Sequence, residues 1–86
     1  MPSYLVESYV PRVRVGEIDG LTSRAREAAE ALAREGNDVR YLRSSFVPQD
    51  EMWLLWFDAP TPALVGEAGR RAELDFARIV DGVLGR

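Results

Sequence analysis

The chemistry open to this chain is that of carboxylates, guanidinium groups and phenols. The sequence contains no histidine and no cysteine. That removes disulfides, thiolate and imidazole metal sites, and serine–histidine or cysteine–histidine catalysis. A short set of side chains remains that could meet around a ligand: Glu7, Tyr9, Tyr41, Arg43, Trp56 and Arg78. A carboxylate in an apolar pocket has its pKa raised and can act as general acid or base, which makes Glu7 the candidate catalytic residue. Arg43 is placed to hold an anionic or enolate oxygen. Tyr9 and Tyr41 supply hydroxyl groups, Trp56 an apolar wall and Arg78 a second guanidinium group, so these five are the candidate ligand-binding residues. Isomerisation, cyclisation or cofactor-free oxygenation of a small organic ligand would suit the set. No cofactor and no metal site are expected.

Whether these residues meet depends on the elements that carry them. Ser3 to Val10 is rich in aromatic and β-branched residues and is closed by Pro11, as a strand should be. Glu17 to Glu35 carries Ile18, Leu21, Ala25, Ala28, Ala29 and Leu32 at helical spacing, with Gly36-Asn37 to end it. Gly20 weakens its first turn, which allows a regular helix to start as late as Leu21 or Thr22. Asp38 to Val47 is a second strand, 48–51 a turn, and Met52 to Asp58 a third strand with six consecutive apolar residues. Thr61 and Pro62 are suited to the N-cap and first position of a second helix. Leu64, Val65, Ala68 and Ala72 form its apolar stripe. Phe76 to Leu84 is the fourth strand.

The order β-α-β-β-α-β in 86 residues predicts one α+β domain of ferredoxin-like type, spanning 1–86. Four antiparallel strands form a sheet, and both helices cover one face. The third strand is apolar on both sides, so the other face must also be covered. For so small a chain a second copy is the simplest cover, as in the dimeric α+β barrels.

Strand parity assigns the faces. A four-residue turn sets Val47 opposite Met52, Ser45 opposite Leu54, Arg43 opposite Trp56 and Tyr41 opposite Asp58. The alternate set pairs Phe46 with Trp53, Ser44 with Leu55 and Leu42 with Phe57, and is the more apolar, so it belongs under the helices. A bulge would break this matching. On the first strand Val6 and its partners face the helices, leaving Leu5, Glu7 and Tyr9 outside. On the fourth, Ile79 and Val83 face the helices, with Arg78 and Val80 outside. The uncovered face is thus expected to be an aromatic floor holding Glu7, Tyr9, Tyr41, Arg43, Trp56 and Arg78. Arg43 over Trp56 would make a cation–π pair, and Glu7 could pair with Arg43 or Arg78. The same residues admit a second reading, in which they form a structural interface without chemistry.

The segments Tyr4-Leu5-Val6-Glu7, Val39 to Ser44, Phe46-Val47-Pro48 and Phe57-Asp58-Ala59-Pro60 resemble those of a small ferredoxin-like family of unknown function. Its members are often described as nickel-binding proteins, and Ala63 to Arg78 fits its pattern more loosely. The resemblance implies a ferredoxin-like fold and a dimer. Family members commonly carry a histidine in the second helix, where this chain has Ala68. Nickel binding through imidazole therefore does not carry over, and only a carboxylate set at Asp50, Glu51 and Asp58 could replace it. These three read more simply as solvated turn and strand-end charges.

Formal net charge is −3, and all 11 basic residues are arginine. A nucleic-acid partner would call for a basic face, so none is expected. No apolar run reaches the roughly 20 residues of a membrane helix, and no secretory signal is read near Met1. A cytoplasmic homodimer binding a small organic ligand is the expectation.

Overall fold

Two Schellman closures and one proline determine where the helices of this chain begin and end. In the computed structural model, which describes residues 1–82, the first helix, α1, spans Ile18–Arg34. It ends where Gly36 adopts φ 95°, with the Asn37 N–H bonded to the Leu32 carbonyl at 3.0 Å. Gly20 stays inside the first turn. The second helix, α2, spans Pro62–Arg71. Thr61 takes the extended N-cap conformation, but its hydroxyl makes no capping bond, so Pro62 at the first position does the starting. The Leu74 N–H closes on the Gly69 carbonyl at 2.9 Å, around Glu73 in the left-handed region at φ 58°.

Four strands, β1 (Ser3–Tyr9), β2 (Arg40–Val47), β3 (Met52–Asp58) and β4 (Arg78–Gly82), form one sheet in the order β2-β3-β1-β4. All three pairings are antiparallel. This is the α+β ferredoxin-like arrangement, with α1 and α2 packed on one face. Phe76 and Ala77 lead into β4 without joining it. The expected continuation of that strand through Val83 and Leu84 lies outside the described residues. Two 3-10 turns complete the chain, Arg12–Glu17 before α1 and Pro48–Asp50 between β2 and β3.

Alternation along β1 and β3 builds the core. Tyr4, Val6 and Ser8 of β1 and Trp53, Leu55 and Phe57 of β3 point beneath the helices and are buried. Leu21, Ala25, Ala28, Ala29 and Leu32 of α1 and Val65 and Ala68 of α2 close over them. Fully burying a leucine or valine here contributes roughly 1.5–3 kcal/mol. Ser8, the one polar residue in this layer, donates its hydroxyl to the Asp75 carbonyl at 2.8 Å and ties the approach to β4 against β1.

Alanine and glycine dominate the helix faces because the sheet side is large. Gly69 shows why at atomic scale. A Cβ built there would stand 2.6 Å from Cδ2 of Phe76, whose ring occupies the space above the glycine. The same ring lies 6.2 Å from that of Phe57.

One expectation about the sheet fails. β2 carries a bulge between Tyr41 and Arg43, so Tyr41 pairs with Phe57 in place of Leu42. Downstream the expected register holds: Arg43 opposite Trp56, Ser44 opposite Leu55, Phe46 opposite Trp53 and Val47 opposite Met52. Upstream it slips by one, which turns Tyr41 to the helix side.

Candidate functional site

The face of the sheet away from the helices is ruled into rows by the strand register. One row runs Arg43, Trp56, Leu5 and Val80 across β2, β3, β1 and β4. The next runs Ser45, Leu54, Glu7 and Arg78. A shorter row of Val47, Met52 and Tyr9 follows at one end. Residues opposite one another in antiparallel strands share a face, so Glu7, Arg43, Trp56 and Arg78 stand on one surface together.

Each is held by the strand beneath it. Glu7 lies on the central strand β1, and its carbonyl accepts the Ala77 N–H at 2.9 Å, which brings β4 alongside. Arg78 is its direct partner across β1 and β4. No ion pair joins them among the described residues, so both charges remain available to a third group. On the other side of the sheet centre, the Arg43 guanidinium carbon lies 5.0 Å from the Trp56 ring centroid, a cation–π pair. Leu5, Leu54, Trp56 and Val80 are each half-buried on a surface that α1 and α2 do not cover.

One candidate leaves the open face, and another stands at its margin. Tyr41 is on the helix side because of the bulge. Its ring packs edge-on to Phe57 at 5.7 Å, and its hydroxyl donates to the Ser44 hydroxyl at 3.0 Å. Strand parity misplaces Tyr41 because a bulge has no compositional signature in this strand. Tyr9 does face outward, but it stands at the end of its row, 59% exposed. Its hydroxyl is engaged by the Glu51 carboxylate at 3.0 Å, and that contact raises the phenol pKa. The floor is accordingly aliphatic, with Trp56 its one central aromatic ring.

Glu51 is the residue whose part went unread. Its left-handed backbone, φ 50°, ends the β2–β3 turn. One carboxylate oxygen accepts the Arg12 N–H at 2.8 Å, the other the Tyr9 hydroxyl, and its carbonyl accepts the Val10 N–H at 2.9 Å. These bonds hold its carboxyl below the usual carboxylate range, the Arg12 N–H most of all. Glu51 therefore pins the β1–α1 connection to the opposite turn, a role of geometry. The chain signal that could have disclosed it is the break in turn residues at Pro48-Gln49-Asp50, which leaves Glu51 to reverse the chain.

The carboxylate route to a metal does not fit. Glu51 and Asp58 flank opposite ends of the seven-residue β3, about 20 Å apart in an extended strand. Asp58 instead accepts the Ser3 hydroxyl at 2.6 Å. No group of three or more potential ligating side chains occurs among the described residues. Ala68, the position at which the family histidine was expected, is 1% exposed in the packed layer between α2 and the sheet. A charged or metal-ligating group there would meet apolar side chains. Among the described residues no helix is long and apolar enough to cross a membrane.

No protein-family model matches the sequence, and no curated protein matches it either. Among solved structures, the chain is similar to SCO4226 from Streptomyces coelicolor A3(2). The two superimpose with a TM-score of 0.73 at 14% identity, over 98% of this chain and 99% of that one. At that identity the likeness speaks for the ferredoxin-like fold alone.

Proposed function

We propose that this chain works as a homodimer joined through its open sheet face, and that the two sheets enclose a small organic ligand beside Glu7, Arg78, Arg43 and Trp56. The observation that carries the reading is the row Ser45, Leu54, Glu7, Arg78: a carboxylate and a guanidinium group set side by side in an apolar surface, with no ion pair between them. A two-fold axis through such a face sets the same rows against each other in opposite sense. Charges enclosed in this way need a partner, and a small polar ligand can supply one. Any acid–base step on that ligand would run through Glu7, the carboxylate in the central rows.

A second reading is an interface with nothing enclosed. It is supported by Arg43, whose guanidinium group lies across Trp56 and covers the ring a ligand would stack on.

Sedimentation velocity over a wide concentration range tests the dimer. The expected result is a dimer that Leu54→Asp converts to a folded monomer, with far-UV circular dichroism unchanged. A wild-type monomer at every concentration would sink both readings. Thermal-shift screening with small uncharged organic compounds then separates them: enclosure predicts stabilisation that Glu7→Gln abolishes, and a filled interface predicts none.

A further inference from the structure

The bulge that removed Tyr41 from the open face builds a second concavity on the helix side. A groove of about 310 Å³ lies between α1 and the β2 edge. One wall is made by Ala29 and Ala33, four residues apart and therefore on one side of the helix. The other is β2 at its bulge, with Tyr41 and Leu42. Val39, 1% exposed, closes the floor. With regular pairing Leu42 would sit opposite Phe57 under the helices, and Tyr41 would face away from this space.

Two guanidinium groups at the groove, Arg26 and Arg40, have no carboxylate partner among the described residues. The Arg26 guanidinium carbon stands 5.2 Å from the Tyr41 ring centroid. Among the described residues Arg26 has no carboxylate within ion-pair distance, although Glu30 lines the same groove one turn further along α1. Arg40, at the mouth, has none either. The contrast is with Arg14, Arg70 and Arg71, each of which holds a carboxylate within 3.2 Å. The ring of Tyr41 is fixed by Phe57 and by Ser44, so it forms a rigid wall.

We propose that this groove binds planar aromatic monocarboxylic acids. A ring enters the slot between the alanine methyl groups and the Tyr41–Leu42 wall. Its carboxylate takes the planar fork of Arg26, with Arg40 adding charge at the mouth. The volume suits a single ring, at the small end of ligand pockets. Glu30 disfavours a second negative charge, which selects against phosphate, and it offers an acceptor for a ring hydroxyl. The open face plays no part, so this site stands whether or not the chain dimerises there.

The test is a ¹⁵N-edited NMR titration with 4-hydroxybenzoate, run beside cyclohexanecarboxylate and inorganic phosphate. The expected result is saturable shifts at the Ala29, Ala33 and Tyr41 amides, with weaker binding of the non-planar acid and none of phosphate. Arg26→Gln should weaken binding about tenfold by removing a charge-assisted pair. Arg34→Gln, which removes a charge from α1 outside the groove, should leave it unchanged. Shifts that do not saturate, that fall on Leu54 and Trp56 instead, or that phosphate reproduces would overturn the assignment. Equal losses in the two arginine variants would do the same, since they would mean general attraction to a basic helix.

Discussion

Leu54 and Leu55 are neighbours on one strand and identical in chemistry, yet they belong to different halves of the molecule. Leu55 faces the helices and has no exposed surface. Leu54 faces the other way and is half-buried with Glu7 for its cross-strand partner. The helix side is largely closed within one chain: its apolar residues cover one another, Ser8 is bonded, and the indole N–H of Trp53 is a buried group left without a partner. The open side sets half-buried Leu5, Leu54, Trp56 and Val80 beside the charges of Glu7, Arg43 and Arg78. One sheet therefore does two jobs, and the pleat separates them. The helix side holds the fold, and the open side is the face proposed to meet a second copy.

Truncating each leucine measures that division. Leu55→Ala should cost about 2–5 kcal/mol, the range for a large-to-small change in a closed core. Leu54→Ala should cost under about 1 kcal/mol in a lone chain, since little of its environment is lost. In the proposed dimer the thermal midpoint depends on protein concentration, and the same change should weaken association and lower the midpoint most at low concentration. Chemical denaturation at two protein concentrations distinguishes these cases. A Leu54 penalty as large as that of Leu55, and independent of concentration, would mean that the open face is closed within one chain.

The two sides also differed in how much of them could be read from the residues. Alternation in Tyr4-Leu5-Val6-Glu7, with the four-residue turn at 48–51, was enough to put Glu7, Arg43, Trp56 and Arg78 on one surface. Those inferences rest on a period of two, which regular pairing preserves over the whole length of β1 and β3. Tyr41 was misplaced because a single extra residue inverts everything before it, and nothing in Arg40-Tyr41-Leu42-Arg43 marks the insertion. The groove beside α1 was invisible for the same reason, since the bulged Tyr41–Leu42 segment forms one of its walls. Glu51 was read as a solvated charge because its partners, Tyr9 and the Arg12 N–H, are about forty residues away in the chain. Long-range polar contacts of that kind have no periodicity to betray them.

Gly69 sharpens the comparison on the helix side. By propensity alone, Gly69→Ala should stabilise α2 by up to about 1 kcal/mol. The added methyl would, however, stand 2.6 Å from the Phe76 ring, which is itself packed toward Phe57. Overpacking of this kind costs about 1–3 kcal/mol, so the net change should be destabilising. The double variant Gly69→Ala, Phe76→Leu should recover part of the loss, because the smaller side chain leaves room for the methyl. A stabilised single variant in urea denaturation would show that the ring moves aside freely and that the helix side is less closed than Leu55 suggests.

The smallest effect expected is electrostatic, and it falls at the junctions that brace the closed side. Glu51 is held below the usual carboxylate value near 4.5 by the Arg12 N–H and the Tyr9 hydroxyl. Glu35, which joins the end of α1 to Arg71 of α2 at 2.5 Å, is lowered by that hydrogen bond. Glu67 is lowered by Arg70 and Arg71 on its own helix. A carboxyl whose folded pKa is depressed binds its proton more readily in the unfolded chain. Its contribution is therefore fully present above the unfolded value and is lost as pH falls through the folded one. The thermal midpoint should stay level from pH 8 to about 6 and decline below roughly pH 4.5. All three groups are solvent-accessible, so added salt should weaken the part owed to Glu35 and Glu67. Glu51 should resist salt better, because its leading contact is a backbone N–H and not an ion. Glu51→Gln separates the two: it should lower stability at neutral pH and flatten the acid decline, while salt sensitivity persists through Glu35 and Glu67. An acid profile that Glu51→Gln leaves unchanged would place the titration elsewhere and reduce the β1–α1 clasp to a contact of shape alone.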